Sequence, residues 1–127
     1  MKYIYILSFI VILIIIEFLA TATAGVESVT LGWDKLNHIA AFTVLYILVS
    51  LAFEDLNIVY RFLLLFVFGL QIEIAQSFLP PREFSSLDVV ADIVGVVFGF
   101  LVYHTLVRHS VLRHGIHKRV DTESSSV

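Results

Sequence analysis

Four apolar runs separated by short polar clusters organise this chain. Tyr3 to Ala24, Leu36 to Phe53, Ile58 to Leu79 and Leu87 to Val107 are nearly free of charged residues. None carries the broad polar stripe, recurring every 3.6 residues, that a helix facing water needs, so the helices these runs predict are solvated by lipid. At a rise of 1.5 Å per residue each would extend roughly 27 to 33 Å, against a hydrocarbon core of about 30 Å. The separators are turn-formers: Glu27, Ser28 and Thr30 in the first, Glu54, Asp55 and Asn57 in the second, and Pro80, Pro81, Arg82 and Glu83 in the third. The pattern predicts an all-α fold over residues 1–107, a four-helix transmembrane bundle with antiparallel up-down topology. A tail over 108–127, basic and then acidic and serine-rich, is expected to be disordered.

Composition narrows the class further. Of 127 residues 59% are hydrophobic and 15% charged, with a mean hydropathy of +0.96. That excludes a water-soluble globule, and the length leaves no room for a second domain. The absence of cysteine excludes disulfides, thiol nucleophiles and thiolate-held metals. A net charge of −3 gives no nucleic-acid footprint. Lys2, Arg61, Arg108, Arg113, Lys118 and Arg119 share one side of the bundle, while Lys35 and Arg82 fall on the other. The imbalance predicts both termini in the cytoplasm, with the chain a multi-pass protein of the cytoplasmic (inner) membrane. Lys2, the apolar stretch Ile4 to Ile16 and Ala22-Thr-Ala24 also resemble a cleavable leader. Continuation of the apolar run past Glu17 favours a retained span.

Ionisable groups inside such spans are costly and therefore mark sites. Asp34, Lys35 and His38 open the second helix, Glu73 and Gln76 lie near the end of the third, and Asp88 and Asp92 open the fourth, preceded by Ser85 and Ser86. Alternating direction puts all of them at one membrane level, in a shallow outer-leaflet pocket that Glu17 joins from the first helix. His38 and Arg82 are the expected partners of the buried Glu73. Each residue also has an ordinary structural reading. Asp34 and Asp88 suit a helix N-terminus, Lys35 can snorkel, and Gln76 can bond a neighbouring helix. Gly95-Val-Val-Phe-Gly99 is a small-x-x-x-small packing motif, which could also join two copies of the chain, and Gly69 leaves room one turn before Glu73.

The same residues carry a family resemblance. Asp34-Lys-Leu-Asn-His38 with Ala41-Phe42, Glu73-Ile-Ala-Gln76 through Arg82, and Ser85-Ser-Leu-Asp88 through Asp92, Gly95 and Gly99 resemble the VanZ-like family of small bacterial membrane proteins. The resemblance spans the second to fourth runs; the first run and the tail agree in hydropathy alone. It implies a four-helix membrane protein similar to an accessory factor in resistance to the glycopeptide teicoplanin. It also implies that Asp34, Lys35, His38, Glu73, Gln76, Arg82, Ser85, Asp88 and Asp92 form the functional set. Two positions depart from the family pattern: Phe42 stands where tyrosine is frequent, and Asp92 where asparagine is frequent.

Two functions follow as expectations. In one, the pocket binds or modifies an amphiphilic envelope molecule or membrane lipid. Lys35 and Arg82 hold its anionic group, Glu73, His38 and Asp88 supply acid-base chemistry, and Gln76, Ser85, Ser86, Asp34 and Asp92 complete the binding surface. In the other, the polar cluster is a paired network that fixes the bundle of an interaction or assembly protein. No cofactor is predicted. A metal among His38, Glu73, Asp88 and Asp92 is disfavoured by the nearby lysine and arginine.

Overall fold

The computed structural model describes residues 1–22, 31–79 and 83–126 of the chain. Five helices account for almost all of them: α1 Lys2–Ala22, α2 Leu31–Ala52, α3 Ile58–Ser77, α4 Ser86–Val102 and α5 Arg108–Ser125, the last joined to α4 by a π-helical turn, Tyr103–Val107. Among the described residues four stretches are long and apolar enough to cross a membrane: Lys2–Ala22, Asp34–Ala52, Ile58–Ser77 and the continuous α4–α5 rod. The helix starts follow from local chemistry. Asn57 caps α3 by accepting from Val59 N at 2.9 Å, and Ser85 caps α4 by accepting from Asp88 N at 3.3 Å.

Contacts between helices fix the directions. Phe9 of α1 meets Phe53 just past α2, and Tyr46 and Phe42 of α2 meet Phe62 and Phe68 of α3. Phe62 of α3 in turn meets Phe100 of α4. Successive helices therefore alternate in direction, as the apolar pattern predicts. Adjacency does not follow chain order, however, because α2 packs most extensively on α4, which runs parallel to it. Glycine permits this. A Cβ on Gly95 would stand 2.6 Å from Ile39 O, and one on Gly99 would stand 2.8 Å from Thr43 O, so only bare backbone fits against α2. Thr43 Oγ1 then donates across the seam to Gly95 O at 3.1 Å. Both glycines face α2 within the chain.

The core centres on α2. Phe42, Leu45, Tyr46 and Val49 are buried at helical spacing and pack against Phe9, Leu65, Ile72 and Val96 from the other three spans. Large apolar side chains such as Ile14, Phe18, Val67 and Phe98 remain exposed. In water such a surface would aggregate; in lipid it is the solvated face.

Two features differ from expectation. Arg61, counted as an orientation charge, is buried, and its Nη2 donates to Phe53 O at 3.2 Å and Glu54 O at 2.8 Å. It satisfies carbonyls that follow the end of α2, and its guanidinium lies 5.9 Å over the Tyr103 ring. Arg61→Met should therefore cost about 1 to 3 kcal/mol, read as a lower midpoint of thermal unfolding in detergent. The tail, expected to be disordered, is helical to Ser125. No proline interrupts the rod after α4, and extending a helix that already exists avoids the cost of nucleation. The side chains described in α5 are exposed, so it adds nothing to the core.

Candidate functional site

One end of the bundle gathers the start of α2, the end of α3 and the start of α4. Helix spacing puts Lys35 and His38 on the face of α2 that meets α4, and Asp88 and Asp92 on the reciprocal face. Lys35 Nζ lies 3.2 Å from Asp88 Oδ1, and His38 Nδ1 lies 2.7 Å from Asp92 Oδ1. These two rungs, one turn apart, tie the parallel helices together just beyond Gly95. Asp34 stands beside them, with ligand atoms of Asp34, His38 and Asp88 all within 4.8 Å of one another.

Glu73 enters from α3 and is only 1% exposed. Its Oε2 accepts from Ser85 N at 3.2 Å, while Oε1 is buried with no partner among the described residues. Asp88 and Asp92 are also buried, at 5% and 3% exposure. Asp92 divides its two oxygens. Oδ1 holds His38, whereas Oδ2 is buried and has no partner among the described residues. That second oxygen projects toward Gly69, where a Cβ would stand 2.7 Å from it. Behind it a groove of about 240 Å³ opens between α3 and α4, lined by Phe42, Phe62, Leu65, Gly69, Asp92 and Val96.

The sequence places these residues at one level, as the helices do, but misassigns some partners. His38 pairs with Asp92 and not with Glu73, because the close α2–α4 seam brings those two side chains together first. Gly69 makes room for Asp92 rather than for another helix to reach Glu73. Arg82 lies outside the described residues, as do Pro80 and Pro81. Ser85 serves as the α4 cap and Ser86 is exposed in its first turn. Gln76 donates to Ala20 O of α1 at 2.9 Å, so it acts as a link between helices. Glu17 joins this end as expected, through an unanticipated partner: Gln71 Nε2 donates to its Oε1 at 3.0 Å. A polar residue in the middle of an apolar run was the available signal for Gln71. Thr43, Tyr46 and Ser50 carry no charge to mark them in the sequence, although all three lie on the side of α2 turned to its neighbours.

The three motif segments thus converge on one polar cluster, in the order and at the spacing in which they occur along the chain. The VanZ/LLP1 family model matches residues 3–108. The chain belongs to that family. Its match includes α1, for which the sequence motifs had offered hydropathy alone, and ends where the polar tail begins. Phe42 Cζ and Asp92 Oδ2 both border the space above Gly69. Neither the curated proteins nor the solved structures give a match to this VanZ-family chain.

Proposed function

We propose that this VanZ-family protein binds an amphiphilic cell-envelope molecule at the outer leaflet and thereby contributes to glycopeptide resistance of the teicoplanin type. The anionic head sits among Lys35, His38, Glu73 and Asp88, with Arg82 as the further cation that the sequence offers it, and the hydrocarbon part lies in the groove between α3 and α4. The position of Asp92 carries this reading. One oxygen belongs to the polar cluster and the other borders the apolar groove with no partner among the described residues, so a single ligand could contact both. Leaving that oxygen unmet costs about 1 to 3 kcal/mol, which a donor group of the ligand would offset.

Photolabelling in proteoliposomes tests the reading. A photoreactive polyprenyl phosphate should label α3 and α4 along the groove, and Lys35→Ala should reduce that labelling about tenfold or more by removing a cation from the head site. Labelling spread evenly over all lipid-facing helices would overturn it. In cells lacking the gene, wild type should restore the teicoplanin phenotype and Glu73→Gln or Arg82→Ala at equal membrane level should not.

The alternative, a structural role in assembly, draws support from the two inter-helix pairs, Lys35–Asp88 and His38–Asp92. On that reading Glu73→Gln and Lys35→Ala would lower the unfolding midpoint while folded molecules of each variant labelled like wild type.

A further inference from the structure

We propose that the ligand of the groove between α3 and α4 is a single-chain amphiphile with a neutral hydrogen-bond donor, a hydroxyl or an amide N–H, where its hydrocarbon part meets its anionic head. Asp92 Oδ2 accepts from that donor. The inference rests on the amphiphile reading and deepens it by naming the group between chain and head. The groove holds about 240 Å³. That is below the roughly 300 Å³ at which sites for whole drug-sized molecules begin, so it takes a stretch of one chain and no more. Phe42, Leu65 and Val96 form its buried floor, whereas Leu63, Phe66 and Ile93 at its rim are exposed on the lipid-facing surface. A chain therefore enters sideways from the bilayer.

Among the described residues that line the groove, Asp92 alone has a side chain that can hydrogen-bond. It is 3% exposed, its Oδ1 is 2.7 Å from His38 Nδ1, and its Oδ2 is buried with no partner among the described residues. That oxygen is aimed at the groove. A Cβ on Gly69 would stand 2.7 Å from it and 3.3 Å from Phe42 Cζ, and Gly69 and Phe42 both line the groove. The bare backbone of Gly69 thus keeps open the space in front of Oδ2. With His38 donating to Oδ1, Asp92 is a carboxylate and Oδ2 can only accept. A phosphate oxygen placed there would face a like charge, and an ammonium would have to leave water for apolar walls. A neutral O–H or N–H avoids both costs and gains a charge-assisted bond. The anionic head belongs one turn further out, beside Lys35, whose Nζ lies 3.2 Å from Asp88 Oδ1. Asp88 and Asp92 are about 6 Å apart along α4. That is the reach from a glycerol hydroxyl to a phosphate on the neighbouring carbon.

Photolabelling in proteoliposomes with four phosphates that share one photoreactive acyl chain tests the inference. Two carry the donor: a monoacylglycerol phosphate with a free hydroxyl, and an N-acylethanolamine phosphate with an amide N–H. The other two are their methylated twins, the methyl ether and the N-methyl amide. At least one donor should label the groove about 10- to 100-fold more strongly than its twin, the worth of a hydrogen bond to a charged group. The pair with the larger ratio identifies the source of the donor. In Asp92→Asn the ratio should collapse because labelling by the methylated twin rises. The amide keeps its carbonyl for His38 and turns its N–H toward the groove, where an ether or carbonyl oxygen accepts from it. Misfolding cannot produce that gain. Equal groove labelling by donor and twin in both pairs, or a ratio unchanged in Asp92→Asn, would overturn the donor and leave the amphiphile reading standing. Labelling by all four phosphates spread evenly over the lipid-facing helices would overturn the amphiphile reading itself.

Discussion

Replacing His38 with alanine should destabilise the bundle by about 3 to 5 kcal/mol, because it leaves the Asp92 carboxylate buried without its partner. The expected cost exceeds that of a neutral hydrogen bond between membrane helices, which averages about 0.6 kcal/mol, since the group left behind can carry a full charge. Adding Asp92→Asn to His38→Ala should recover at least half of the loss. The amide has no charge to strand. A double-mutant cycle of unfolding in detergent measures both values. Wild-type stability in His38→Ala would show that the 2.7 Å contact contributes nothing. The double variant also separates stability from binding, since it should fold and still fail to label in the groove.

The coarse architecture was legible because a bilayer leaves few solutions for apolar runs of this length. Once four spans alternate in direction, the start of α2, the end of α3 and the start of α4 must share a level, and Asp34, His38, Glu73, Asp88 and Asp92 come together without any knowledge of packing. Pairing within the cluster was not legible, since it depends on which helices approach most closely. Gly95 and Gly99 signalled a close approach but not its partner, and the intramolecular answer, α2, decides that His38 finds Asp92. The burial of Arg61 was hidden for a different reason. Its position at the start of α3 suits a headgroup contact, but the carbonyls of Phe53 and Glu54, left open where α2 ends, lie closer. The helical tail was hidden because its polar sequence has no apolar face, and its helix is inherited from α4 rather than encoded by its own pattern.

The same seam sets the second large effect. Gly95→Leu should separate α2 from α4 and abolish binding at the polar end, although it alters no residue of the cluster. Even the first carbon of the new side chain would stand 2.6 Å from Ile39 O and 2.9 Å from Phe42 Cβ, and a backbone carbonyl cannot rotate aside. Gly95→Ala, which adds that carbon alone, should cost about 1 to 3 kcal/mol by overpacking, and leucine more. Ile39 adjoins His38, and Gly95 lies one turn beyond Asp92, so an added separation of about 1 Å would stretch the 2.7 Å contact past hydrogen-bond range. Gly115→Ala is the matched control. Nothing lies within 4 Å of a Cβ there, and alanine should stabilise α5 by about 0.5 to 1 kcal/mol. Thermal unfolding and groove labelling, measured on all three variants, distinguish the alternatives. Gly95→Leu at wild-type stability would mean that α2 and α4 do not meet at this glycine. Lowered stability with intact labelling would mean that the polar cluster does not depend on the seam for its alignment.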